Sequence, residues 1–170
     1  MAVAQSKRAA PIVVIDGRSG SGKSTLASAV VDAWHVPVCV LPLDAVYPGW
    51  DGLRAGADRV IRDVVARHAR GEPGEWVGWD WDARRPAARH LTDSGVPLVV
   101  EGVGALTSWS ARLADVSVWL DAPGDLRRER ALDRDGDTYA PHWERWARQE
   151  ERHIVENTPS ALASLRFTLG

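Results

Sequence analysis

The residues best equipped for chemistry lie in one stretch, Gly17-Arg18-Ser19-Gly20-Ser21-Gly22-Lys23-Ser24-Thr25. Its spacing, G-x-x-x-x-G-K-[ST], is that of a loop that wraps a triphosphate. Glycines at 17, 20 and 22 let backbone N–H groups approach phosphate oxygens that side chains would keep away. Lys23 brings a compact positive charge to the β- and γ-phosphates, and Ser24 offers a hydroxyl to Mg²⁺. Ser19, Ser21 and Thr25 complete the candidate nucleotide contacts, and the N-terminus of the following helix adds partial positive charge. Of the 21 basic residues only Lys7 and Lys23 are lysines, so the loop carries one of the two point-charge ammonium groups in an arginine-rich chain. The pattern implies binding of a nucleoside triphosphate.

The elements on either side would hold this loop in place. Ile12 to Asp16 is a continuous β-branched run, as in a buried parallel strand, and Leu26, Val30 and Trp34 share one face of a helix over about 22–34 that Pro37 ends. Residues 38–43 predict a second strand closing on Asp44, 97–100 a third closing on Glu101, 116–120 a fourth closing on Asp121, and 164–169 a fifth. Leu53, Ala57, Val60, Ile61, Val64, Val65 and His68 form one apolar stripe of a helix, with His68 as a packing residue. An arginine-rich helix over about 125–134, a turn at Gly136 and a helix over about 141–156 follow. This alternation predicts an α/β, three-layer fold with a five-stranded parallel sheet, one domain over 11–170, and a disordered tail over 1–10. Ligands of such sheets bind at the carboxyl edge, where Asp44 and Glu101 fall.

The remaining features exclude more than they assign. Residues 71–90 have no clean period but carry Trp76, Trp79, Asp80, Trp81, Arg84, Arg85 and Arg89, which suits a binding loop. The single cysteine, Cys39, lies in an apolar run and reads as a core thiol, and the five histidines have no zinc spacing. A net charge of -2 gives no reason to expect nucleic acid as a partner. The chain has no apolar run near the ~18 residues of a membrane span and no signal-peptide pattern, so a cytoplasmic protein without membrane contact is expected.

Together these residues resemble the P-loop nucleoside and nucleotide kinases, and within them the uridine kinase group. The resemblance rests on residues 17–24, on Leu43-Asp44 with Tyr47 three residues later, on Val99-Val100-Glu101-Gly102-Val103, and on Leu120-Asp121-Ala122-Pro123 leading into Arg127, Arg130 and Arg134-Asp135. It implies ATP-dependent transfer of the γ-phosphoryl group to a hydroxyl of a small molecule, a nucleoside first. In that family's terms Asp44 would accept the acceptor's proton and Glu101 would hold Mg²⁺ together with Ser24. Arg127, Arg130 and Arg134 would belong to an arginine-rich helical lid, while Tyr47, Trp79, Asp80, Arg84 and Arg85 would contact the acceptor. Plainer readings stand beside each role: Asp44 as a turn cap, Glu101 as a solvated strand end, the arginines as helix-surface charges, and Trp79-Asp80-Trp81 as a hydrophobic clasp. For function, the alternatives are a nucleoside monophosphate or a sugar acid as acceptor, or a regulatory module that binds nucleotide and transfers nothing.

Overall fold

In the computed structural model, which describes residues 8–170, the chain runs β1 (Ile12–Asp16), α1 (Lys23–Asp32) and β2 (Cys39–Pro42), followed by a 3₁₀ turn at Leu43–Ala45. Next come α2 (Leu53–Val60), a π-helical turn (Ile61–Val65) and α3 (Ala66–His68), then β3 (Glu75–Asp80) and β4 (Arg85–Leu91). The second half is β5 (Leu98–Glu101), α4 (Ser108–Leu113), β6 (Val116–Asp121), α5 (Gly124–Tyr139), a 3₁₀ turn (Ala140–His142), α6 (Trp143–Asn157), α7 (Pro159–Leu162) and β7 (Leu165–Thr168). Five strands form one sheet in the order β2-β5-β1-β6-β7, and every pairing in it is parallel.

The central strand shows why these sequences are continuously apolar. Val13 and Ile15 point to one face, where they pack with Val99, Val116, Val118 and Ala27 of α1. Ile12 and Val14 point to the other, into a larger core with Leu41, Leu98, Val100, Leu53, Val60 and Val64. A strand covered by helices on both faces has no polar side, so alternation disappears. The expected three-layer sheet is therefore the observed one.

Several expectations need correction. Residues 71–90 are a two-stranded antiparallel hairpin, β3–β4, and not a loop. A register shift between Val77 and Trp79 breaks the period of two in β3, and every residue of β4 is exposed, so neither strand alternates. α4 and α7 were not foreseen; α4 starts at a capping box in which Thr107 Oγ1 accepts from Ser110 N while Ser110 Oγ accepts from Thr107 N. Cys39 is only half-buried, at the start of an edge strand. Of the tail expected over 1–10, residues 1–7 lie outside the described residues, while the Arg8 guanidinium donates to the Leu113 carbonyl at 2.8 Å.

His68 is buried, as its place on the stripe predicted, with Nε2 lying 3.3 Å from the Ala10 carbonyl and Nδ1 lacking a hydrogen-bond partner among the described residues. Burial pulls its pKa below the usual histidine value of 6.5 and outweighs the opposing pull of the Ala10 carbonyl. A histidine with a lowered folded pKa favours the fold while neutral, and that contribution is lost as pH falls below the unfolded value. Chemical denaturation between pH 7.5 and 5 should show stability declining on the acid side of 6.5, and His68→Phe should flatten that part of the curve. An unchanged slope in the variant would assign the acid sensitivity elsewhere.

Candidate active site

The ends of β1, β2 and β5 meet the phosphate loop at one edge of the sheet. β1 ends in Asp16, whose fully buried carboxylate accepts from Gly17 N at 2.6 Å, Gly104 N at 3.2 Å and Leu106 N at 2.8 Å, and meets His153 Nε2 at 2.9 Å. The loop then packs tightly on its surroundings. A Cβ on Gly17 would strike the Leu120 carbonyl, and one on Gly20, where φ is +76°, would strike the Arg127 carbonyl. The protein's own backbone thus requires glycine at both positions, independently of any phosphate.

Lys23 is buried, and its Nζ donates to the Arg18 carbonyl at 3.1 Å, so the ammonium spans the loop that carries it. Ser21 is fully buried, and its Oγ has no hydrogen-bond partner among the described residues. An orphaned hydroxyl inside a phosphate-type loop suits a ligand oxygen. Ser24 Oγ donates to Glu101 Oε1 at 2.9 Å, which brings together the two residues expected at the metal. No group of three or more His, Cys, Asp or Glu among the described residues could hold a metal ion. One hydroxyl and one carboxylate still fit Mg²⁺, which keeps waters and takes further oxygens from substrate phosphates. Burial pushes the Glu101 carboxyl above its ordinary range, with Lys23 opposing the shift and Asp44 reinforcing it.

Beside the loop opens a cleft of about 570 Å³ lined by Ser19, Asp44, Tyr47, Trp50, Trp81, Arg134, Asp135, Thr138, Tyr139 and Trp146. Its rings brace one another: Trp50 stacks on Tyr139 at 5.4 Å and meets Trp81 at 4.7 Å, and Tyr47 meets Trp146 edge-on at 4.9 Å. Two of their polar tips are taken up by backbone carbonyls. Tyr47 Oη donates to the Val103 carbonyl at 2.7 Å, and Trp81 Nε1 donates to the Asp44 carbonyl at 2.9 Å. Burial, with Asp44, Asp16, Glu101 and Glu150 nearby, keeps the Tyr47 phenol protonated by pushing its pKa well above 10. Asp44 lies in the 3₁₀ turn after β2 with its carboxylate exposed.

The three arginines expected in a lid occupy different environments. Arg127 is buried: Nε donates to the Ala122 carbonyl at 2.9 Å, and Nη1 lies 3.5 Å from the Ser19 carbonyl, bracing the loop from α5. Arg130 is exposed, and Arg134 lines the cleft while paired with Asp135 at 2.7 Å. Trp81 reaches the cleft, whereas Trp79, Asp80, Arg84 and Arg85 are not among its lining residues. Asp80 Oδ1 accepts from Ala83 N at 2.9 Å and caps the hairpin turn, where Arg84 and Arg85 are exposed. Asp16, Glu150, His153, Trp50, Tyr139 and Trp146 were missed from the sequence. Only the spacing 146, 150, 153 on one helical face could have signalled part of this set.

A parallel α/β sheet, a glycine-rich phosphate loop leading into α1, and a hydroxyl–carboxylate pair at the adjacent strand end define a P-loop nucleotide-binding protein. The chain is 31% identical over 128 residues to the cytidylate kinase of Natronomonas pharaonis, a match covering 73% of this chain and 58% of that protein. It is 29% identical over 147 residues to the uridine kinase of Latilactobacillus sakei subsp. sakei, covering 76% of this chain and 69% of the relative. A solved structure described as a possible uridine kinase from Bacillus stearothermophilus superposes with a TM-score of 0.68 at 18% identity, over 97% of this chain and 92% of that one. No protein-family model matches the chain. In sequence the chain is similar to these nucleoside and nucleotide kinases, spanning 58% of the cytidylate kinase's length, and in fold it is uridine kinase-like.

Two glycines with similar backbone angles separate loop packing from backbone strain. At Gly71, where φ is +74°, an added Cβ would meet nothing within 4 Å, whereas at Gly20 it meets the Arg127 carbonyl. Gly71→Ala should cost about 1–2 kcal/mol of left-handed strain alone. Gly20→Ala should cost more in thermal denaturation and should also weaken Mg-ATP binding. Equal losses, with binding intact in both, would mean that the loop yields easily at this contact.

Proposed function

We propose that this chain is an ATP-dependent phosphotransferase whose acceptor is a hydroxyl of a small, uncharged, ring-bearing molecule, with a nucleoside as the first choice. The observation that carries the reading is that Ser19 belongs to the phosphate loop and also lines the cleft that Asp44 enters, so one space borders both substrates. The geometry suits in-line transfer. An acceptor hydroxyl in the cleft would attack the γ-phosphorus and pass its proton to the Asp44 carboxylate, while the bond from that phosphorus to the bridging oxygen breaks and ADP leaves. Ser24 and Glu101 would hold Mg²⁺, which when bound supplies charge stabilisation to the phosphate oxygens. Lys23 would complete that stabilisation from within the loop, and Arg134 at the cleft wall is the lid arginine best placed to act on the transferred group.

The lining favours a neutral acceptor over a phosphorylated one. Its charged side chains are Asp44, Asp135 and Arg134, and Arg134 already pairs with Asp135. The arginines that could hold an acceptor phosphate lie outside the cleft, with Arg84 and Arg85 exposed on the hairpin and Arg89 paired with Glu75 at 2.7 Å. The relatives named uridine kinase and cytidylate kinase support a pyrimidine as the ring. Turnover compared across uridine, cytidine and their monophosphates should rank both nucleosides above both monophosphates. The reverse order would replace this acceptor with the phosphorylated one.

A second measurement separates transfer from nucleotide binding alone. Asp44→Asn keeps shape and hydrogen bonding but loses the basic oxygen, so turnover should fall about 10² to 10⁴-fold while Mg-ATP affinity stays near wild type. Equal losses in affinity and turnover would make Asp44 a nucleotide or metal ligand. ATP binding without phosphorylation of any acceptor by the wild type would leave the regulatory-module reading.

A further inference from the structure

α6 turns one stripe of side chains toward the chemistry. Trp146 lines the cleft, Glu150 reaches the phosphate loop, and His153 meets Asp16 at the end of β1. Steps of four and three residues place all three on one helical face. The middle residue is the unexpected one. Glu150 is only 1% exposed, and its carboxylate is spent on the loop: Oε1 accepts from Ser19 N at 2.8 Å and Oε2 from Arg18 Nε at 3.0 Å.

A buried carboxylate beside a loop that receives a triphosphate repels the charge the loop must attract. Such a group persists only with good partners, and here both partners belong to the loop itself. Ser19 is also approached from α5, through Arg127 Nη1 at its carbonyl, and Tyr139 of the same helix lines the cleft beside it. The first half of the loop is therefore held from α5 and α6. Its second half is continuous with α1.

We infer that Glu150 is a positioning residue for the phosphate loop, fixing Ser19 and Arg18 so that the nucleotide's terminal phosphate faces the acceptor cleft. The structural part of this inference does not depend on the kinase reading; its kinetic consequence rests on that reading. Glu150 touches no reacting atom and acts through the Ser19 backbone.

Three proteins test it: wild type, Glu150→Ala and Glu150→Gln. Amide hydrogen exchange is measured first, without nucleotide. In Glu150→Ala the peptide covering residues 17–21 should exchange at least tenfold faster, with the β1 and β5 peptides unchanged. Glu150→Gln, which can still accept from Ser19 N, should recover most of that protection. With Mg-ATP and the best acceptor, Glu150→Ala should raise KM for ATP about tenfold and lower kcat, and Glu150→Gln should restore KM. A loss of thermal stability with wild-type loop exchange and wild-type KM would overturn the inference and make Glu150 ordinary packing. Should Glu150→Ala fail to fold, Glu150→Leu, which keeps the side chain's bulk but cannot accept from Ser19 N, takes its place: faster exchange over residues 17–21 supports the inference, and wild-type exchange overturns it. If the wild type binds no Mg-ATP, the kinase reading falls, and the exchange result alone decides the role of Glu150 in the loop.

Discussion

Asp16 is the constraint on which the rest of the site depends. It is the last residue of the central strand, it is fully buried, and its two oxygens meet donors from three separate segments: Gly17 at the start of the phosphate loop, Gly104 and Leu106 in the connection after β5, and His153 on α6. A carboxylate taken out of water is costly unless its lone pairs are satisfied, so these segments must converge wherever the strand ends. The consequence is geometric. The loop leaves β1 and the Glu101 turn leaves β5 from neighbouring strands pinned to one carboxylate, and the Ser24–Glu101 hydrogen bond of 2.9 Å forms between them.

The phosphate loop obeys a second constraint of the same type, which changes the meaning of its glycines. Read as a motif, they make room for phosphate. In the fold, Gly17 and Gly20 first make room for the carbonyls of Leu120 and Arg127, at the end of β6 and in the first turn of α5. Backbone N–H groups can face a ligand only if the loop is held open, and close packing against β6 and α5 does that without any side chain in the way.

What the sequence disclosed follows from the range of each signal. The sheet was legible because strands covered on both faces are continuously apolar, and Lys23, Ser24, Asp44 and Glu101 were legible because they sit at fixed offsets from strand ends. The hairpin was not, since the irregularity at Val77/Trp79 removes alternation from β3 and full exposure removes it from β4. The arginines of α5 illustrate the deeper limit. Arg127, Arg130 and Arg134 look equivalent along the helix, and only contacts with residues far away in the chain, Ser19 at 108 positions' distance among them, make one a buried brace and leave another in solvent. For the same reason nothing in the sequence marked Asp16, at the end of a strand, or Glu150, within a helix, as part of the site.

The cleft wall joins these constraints. α5 is fixed near its start by Arg127 against the phosphate loop and near its end by Tyr139 against Trp50. Between the two anchors Gly136 takes φ 51° and ψ -133°, outside helical values, so the helix changes direction there. Arg134 and Asp135 precede that break, Thr138 and Tyr139 follow it, and all four line the cleft. At about 100° per residue these four positions fall within about 140° of one another, so they share one helical face, and the break adds a bend between the first pair and the second. Gly136 thus lets the backbone leave its regular path in the middle of that face, so the wall carrying Arg134 and Asp135 is angled against the part carrying Thr138 and Tyr139, which the Trp50 contact holds in place.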